Sequence, residues 1–149
     1  MIEPSLLLKY WVLFTIILWL KMLANSVLQG YYRFKNKQFV TPEDAKAFAG
    51  LIKQEVNPSY QEHPMVERLA KCWRNDLENI PMFLFISLGY VLLNGNAAFG
   101  LVCFIIFTVA RVSHTFFYVT AMQPHRNIAF DIGLIATFVM VAGCIPLFF

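Results

Sequence analysis

No acidic or basic side chain occurs anywhere in residues 79–110. Charge is scarce elsewhere too: Asp, Glu, Lys and Arg make up 14% of the 149 residues, where a soluble domain carries about 25%. The net charge is only +3, and the basic residues are dispersed, so nucleic acid is not an expected partner. Cysteine is equally sparse. Cys72, Cys103 and Cys144 are odd in number and show no CxxC spacing, which argues against a disulfide framework or a zinc site. His63, His114 and His125 lack metal-ligand spacing with any Cys or carboxylate, so no metal is expected. Internal repeats are missing, and residues 1–149 read as a single domain.

What the chain has instead is apolar residues, 58% of the total, gathered in long runs that place it in the membrane class. Residues 10–32 are interrupted by one charge, Lys21. That run exceeds the 7–15 or so apolar residues of an ordinary signal sequence, and no small-x-small cleavage site follows it; it reads as a retained transmembrane helix. A span needs about 20 largely apolar residues. Four are expected, over about 6–32, 64–93, 97–122 and 127–149, giving an all-α, integral-membrane four-helix bundle. The "NGN" at 94–96 reads as a tight turn between antiparallel helices. Arg33, Lys35, Lys37, Lys46 and Lys53 fall in the connection 33–63, and His125 and Arg126 in the last one. The positive-inside rule puts both connections in the cytosol and both termini on the other side. Within the first connection, Thr41 as cap, Pro42 at the first helical position and Asp44 mark a helix start. Ala45, Phe48, Ala49 and Ile52 give it an amphipathic face. Pro124 is expected to break the third helix, with the fourth starting near His125 or Arg126.

Polar residues interrupt these spans at helical spacing. Glu67, Lys71, Arg74 and Glu78 fall within about 60° of arc on the second helix, and Arg111, His114 and Tyr118 within a similar arc on the third. Lys21 and Asn25 are one turn apart on the first. Such groups are expensive in lipid and normally face protein or a wet cavity, so stripes on several helices can share one polar cavity open to the cytosol. Taken singly they have blander explanations: Glu67–Lys71 and Arg74–Glu78 are i, i+4 pairs that can neutralise each other, and Arg68 and Lys71 can snorkel. Taken together they leave surplus positive charge near the cytosolic ends, which suits a small anionic ligand. Arg126 by a helix N-terminus would add to it.

These residues resemble the MAPEG family, the membrane-associated proteins in eicosanoid and glutathione metabolism. The resemblance runs through "LKML", "FVTPEDA", "VERLAKCWRNDLENI", "ARVSHTFFYV" and "QPHRN". It is nearest to the branch of microsomal glutathione transferases and prostaglandin E synthases. It implies a homotrimer with glutathione bound between neighbouring subunits. Arg74, Asn75, Glu78, His114 and Tyr118 are implied as glutathione ligands, with Arg33, Lys71 and Arg111 helping to hold its carboxylates. Arg126 corresponds to the arginine beside the thiol, and Asp44 to an aspartate near that arginine. Asn127 stands where the prostaglandin synthases have serine, and Phe130 where they have tyrosine, which favours thiol conjugation over prostaglandin synthesis.

The expected function is therefore that of a membrane-bound glutathione transferase or peroxidase. Arg126 and Asn127 would stabilise a glutathione thiolate that attacks a lipophilic electrophile or a lipid hydroperoxide arriving from membrane lipid. Glutathione-dependent isomerisation of a prostaglandin endoperoxide is one alternative, and a non-enzymatic lipid-binding scaffold another. The expected location is the endoplasmic reticulum, or else the mitochondrial outer membrane, with the site facing the cytosol.

Overall fold

The computed structural model of the protein describes residues 5–56, 58–59 and 61–149. Five α-helices and a terminal 3-10 turn follow one another, with no strand among the described residues: α1 Leu6–Asn36, α2 Pro42–Ile52, α3 Pro64–Leu92, α4 Ala97–Val119, α5 Gln123–Cys144 and the turn Ile145–Phe148. Three of them, α1, α4 and α5 with its 3-10 extension, are long and apolar enough to cross a membrane. The other long helix, α3, is charged along its first half and packs against all three.

The helix starts follow from capping side chains. Ser5 Oγ accepts from Leu8 N–H at 3.2 Å, Thr41 Oγ1 from Asp44 N–H at 3.4 Å, and Asn96 Oδ1 from Phe99 N–H at 3.0 Å. His63 Nδ1 accepts from Met65 N–H at 3.2 Å, ahead of Pro64. The helix ends share a second device. Lys37, Lys53, Asn94 and Ala121 all have φ between 53° and 61°, the left-handed conformation that turns a chain out of a helix.

At Ala121 this corrects the expected boundaries. Ala121 N–H donates to Tyr118 C=O and Met122 N–H to Phe117 C=O, closing α4 before Pro124 is reached. Pro124 does not break α4; it occupies the second position of α5, which starts at Gln123 rather than at 125–127. Arg126 is thus the fourth residue of α5, and its own N–H is already bonded to Met122 C=O at 3.0 Å. An anion near Arg126 would be met by the side chain, not by that amide. The amphipathic helix expected in the first connection is α2, with Ala45 buried and Phe48 packed against Phe34 and Phe39 at ring separations of 5.2 and 4.8 Å.

The core runs down the middle of the four long helices. Phe83 and Phe107 stack with centroids 3.8 Å apart and planes 4° from parallel, and Phe104 meets Phe83 edge-on. Leu18, Ile80 and Met140 complete the same layer. Trp11 Nε1 donates to Leu84 C=O and Ser87 Oγ, tying α1 to α3. Outward, α1, α4 and α5 present Leu13, Ile16, Trp19, Ile105, Val109, Ile135 and Phe138. This arrangement is stable only where apolar surroundings replace water.

Polar features collect at one end. Arg33 at the end of α1 makes a two-pronged pair with Glu62, at 3.2 and 2.8 Å, and Tyr32 stacks on His63. Arg68 Nη1 of α3 donates to Tyr118 C=O at 3.2 Å. The Asn94–Asn96 turn and the start of α1 lie together at the opposite end, where Leu7 closes on Gly100.

Candidate functional site

At the polar end, the first turns of α3 and α5 and the last turns of α4 enclose an open cavity of about 450 Å³. Arg68, Lys71 and Arg126 line it, against a single carboxylate, Glu67. Phe117 and Tyr118 form its wall. The Arg126 guanidinium lies over the Tyr118 ring, 4.6 Å from its centroid. Cation–π contact and the ring's bulk hold it in place, and its Nη2 is 3.5 Å from Asn127 Oδ1. Three cations facing one carboxylate in a partly enclosed space favour an anionic guest, because nearby low-dielectric walls strengthen the attraction.

Three of the expected ligand residues therefore come together: Lys71, Tyr118 and Arg126. Arg74 and Glu78 continue the same stripe along α3 but are exposed on the outside of the single chain. Among the described residues neither forms an ion pair, so the local neutralisation allowed by their spacing is not made. The stripes of α3 and α4 meet only in part: Glu67 and Lys71 share the cavity with Tyr118, whereas Arg74 and Glu78 are exposed outside it and Arg111 and His114 are buried behind it. Arg33 is engaged by Glu62, and Asp44 lines a separate cleft of about 270 Å³ with Arg33 and Phe48. Within one chain, Asp44 is in that cleft rather than beside Arg126.

Arg111 and His114 point inward. Arg111 is 1% exposed and His114 4%, so both sit behind the cavity surface, not on it. His114 packs against Tyr118 and Phe130 with Nδ1 lacking a hydrogen-bond partner. Arg111 Nη2 donates to Asp76 Oδ1 at 3.0 Å and also to Asn75 Oδ1. Asp76 is wholly buried; its other oxygen takes Lys21 Nζ and, at 2.9 Å, Asn25 Nδ2. One carboxylate thus joins α1, α3 and α4.

Asp76 was absent from the sequence-predicted site, and Lys21 and Asn25 entered it only as a polar stripe of the first helix with no role assigned. Asp76 lies about 180° around the helix axis from Glu67, opposite the charged stripe, which is why a search along that stripe passes over it. The available signal was Lys21, a solitary cation inside an apolar helix. Such a charge needs an inward-facing counter-ion, and Asp76 is the acidic residue of α3 that leaves the stripe.

The polar cavity has an apolar neighbour. A groove of about 330 Å³ between α4 and α5, lined by Ile105, Val109, Ile128 and Ile132, ends at Phe117 and His125. Phe117 is a wall of both spaces.

Comparison with known proteins identifies the family of the chain. The family model described as the MAPEG family matches residues 11–145. The chain is 34% identical over 139 residues to prostaglandin E synthase of Rattus norvegicus, covering 93% of this chain and 87% of that protein. It is 39% identical over 115 residues to microsomal glutathione S-transferase 1 of Rattus norvegicus, covering 76% and 72%. The human protein of the same name is 37% identical over an equal length. With the match extending from α1 to the end of α5 and these relatives covered over most of their own length, the chain belongs to the MAPEG family.

Proposed function

We propose that this protein is a membrane-bound, glutathione-dependent transferase. The observation that carries the reading is the cavity in which Arg126, stacked on Tyr118, shares a wall with Lys71 and Arg68. Glutathione is a thiol tripeptide with two carboxylates and one ammonium, a fit for cations in excess over a carboxylate. Its free thiol, with a pKa of about 8.5, is mostly protonated at neutral pH, and only the thiolate is a good nucleophile. A guanidinium at the sulfur favours the charged form. Arg126 supplies that charge, with Asn127 as a neighbouring donor, and Asp44 of an adjoining copy orients the arginine. Lys71, Arg74, Asn75, Glu78 and Tyr118 hold the rest of the tripeptide, and Arg33 assists from the α1 end.

The thiolate attacks an electrophilic carbon, forming a C–S bond as the leaving group departs with the bonding pair. With a lipid hydroperoxide it attacks the peroxide oxygen instead, breaking O–O and giving an alkoxide that takes up a proton. A second glutathione then displaces hydroxide from the resulting sulfenic acid and yields the disulfide. The lipophilic partner comes from the bilayer. The apolar groove that shares Phe117 with the cavity supports such an approach, since a molecule resting there is already next to Arg126.

The working form is a homotrimer of four-helix subunits, with α3 as the fourth span and sites completed between neighbours. The outward charges of Arg74 and Glu78 support this, because unpaired ions on a membrane helix call for a partner surface. The basic connections support a cytosolic orientation for the cavity, and the membrane assigned in this reading is that of the endoplasmic reticulum. Endoperoxide isomerisation by the same thiolate is a second reading, favoured by the 93% coverage of the match to a prostaglandin E synthase. Asn127 and Phe130 remain departures from that branch.

The decisive experiment titrates glutathione into wild type and Arg126→Leu while following thiolate absorbance in the ultraviolet. If Arg126 lowers the bound thiol's pKa by about two units, the wild type shows the band at neutral pH and the variant does not, with affinity largely kept. Turnover falls in parallel, as expected for an interaction with the reacting group. Equal bands and rates would refute the assignment. Turnover of an aryl halide, a lipid hydroperoxide or a prostaglandin endoperoxide separates the reaction classes, and native mass spectrometry reads the trimer.

A further inference from the structure

The buried cluster behind the cavity dictates which way one amide must point. A guanidinium has N–H donors and no acceptor. The atom of Asn75 that meets Arg111 Nη2 is therefore its carbonyl oxygen. Arg111 cannot swing away to release it, because Asp76 holds the same nitrogen at 3.0 Å. Asp76 in turn is fixed by Lys21 and Asn25 of α1, so three helices brace this one contact. The NH2 group of Asn75 is consequently turned the other way. It donates to nothing among the described residues, and Asn75 is only half-buried. It follows Lys71, which lines the cavity, by one helical turn and about 40° of arc.

We propose that Asp76 and Arg111 are positioning residues that lock Asn75 as a hydrogen-bond donor toward a carboxylate or peptide carbonyl of the bound thiol tripeptide. The proposal rests on reading the cavity as a glutathione site. An unrestrained asparagine offers a ligand either its oxygen or its NH2 by turning over. A locked one accepts only an acceptor, so the ammonium end of glutathione is refused at this point. The cluster thereby selects the direction in which the tripeptide lies.

The test is a double-mutant cycle on glutathione affinity, measured by calorimetry in detergent. Arg111→Gln leaves Lys21 and Asp76 as a neutral pair while freeing the Asn75 amide to turn. Arg111→Gln and Asn75→Ala should each weaken binding about tenfold, the loss of one charge-assisted hydrogen bond. The double variant should bind no more weakly than Asn75→Ala alone, because Arg111 acts through Asn75. A multiplicative loss, or an Arg111→Gln protein that binds like wild type, overturns the proposal. Should Arg111→Gln not fold, Asn75→Asp decides. It keeps an oxygen for Arg111 but turns an oxygen rather than NH2 toward the ligand. Expected are an undiminished thermal midpoint and a loss on the order of a hundredfold, larger than for alanine. Affinity equal to wild type or to Asn75→Ala sinks the locked-donor idea while leaving glutathione binding intact. A wild type that does not bind glutathione overturns the site reading and this proposal together.

Discussion

Asp76→Asn tests the physical role of the buried cluster most directly. The substitution keeps size and shape and removes one charge. Asp76 is 0% exposed, and its two oxygens receive Arg111, itself 1% exposed, together with Lys21 and Asn25. Without the carboxylate, two cations from α1 and α4 stand near each other inside the protein with no counter-charge in hydrogen-bond reach among the described residues. Removing one partner of a buried ion pair costs about 3–5 kcal/mol, mostly as the penalty on the ion left behind. At about 2–4 °C per kcal/mol for a chain of this size, the unfolding midpoint should fall by roughly 10 °C. Thermal unfolding in detergent, followed by tryptophan fluorescence, measures it. Adding Lys21→Met removes one stranded cation and should restore part of the loss, since Arg111 can still donate to two amides. An unshifted midpoint for Asp76→Asn, or a double variant less stable than the single one, would refute the reasoning.

Other outcomes follow from the same geometry. Arg74→Ala and Glu78→Gln should each reduce glutathione affinity by about 1.5–3 kcal/mol, the range for hydrogen bonds to charged groups. Unchanged calorimetric affinity in a folded protein would return both residues to a packing or topological role. Phe83→Ala should cost about 3–5 kcal/mol of stability through the cavity left against Phe107, visible as a lower midpoint with glutathione affinity little changed. For topology, a thiol reagent added to the cytosolic side of intact vesicles should fail to label Ala98→Cys, an exposed position beside the Asn94–Asn96 turn. Labelling from that side would invert the orientation. Ala98 serves better than Gly95, where a Cβ would run into the Tyr90 ring.

Much of the protein was legible in one dimension. Apolar runs and capping residues such as Thr41 and Asn96 locate helices because hydrophobicity and local hydrogen bonding act over a few residues. The ends were less legible. Helix α4 closes on Ala121 and α1 on Lys37, both with positive φ, in place of the glycine that usually marks such a turn. The start of α5 was consequently misplaced by a few residues, and with it the backbone surroundings of Arg126. Lys71, Tyr118 and Arg126, each read from the polar pattern of its own segment, line one cavity in the fold.

What the sequence by itself determined is an apolar all-helical chain with most of its ionic groups toward one end, because composition and helical period set which surface each helix can expose. Only tertiary structure decided which ions meet. Glu67, Lys71, Arg74 and Glu78 share a face by periodicity, yet Glu67 and Lys71 line the cavity while Arg74 and Glu78 look outward from the single chain. Asp76, off the stripe, is the group that closes the core with Lys21 and Arg111. Periodicity fixes the angle between residues on one helix, but the rotation of each helix about its own axis is fixed by its neighbours. Here the rotation that packs Phe83 on Phe107 also buries the Asp76 carboxylate between cations of α1 and α4.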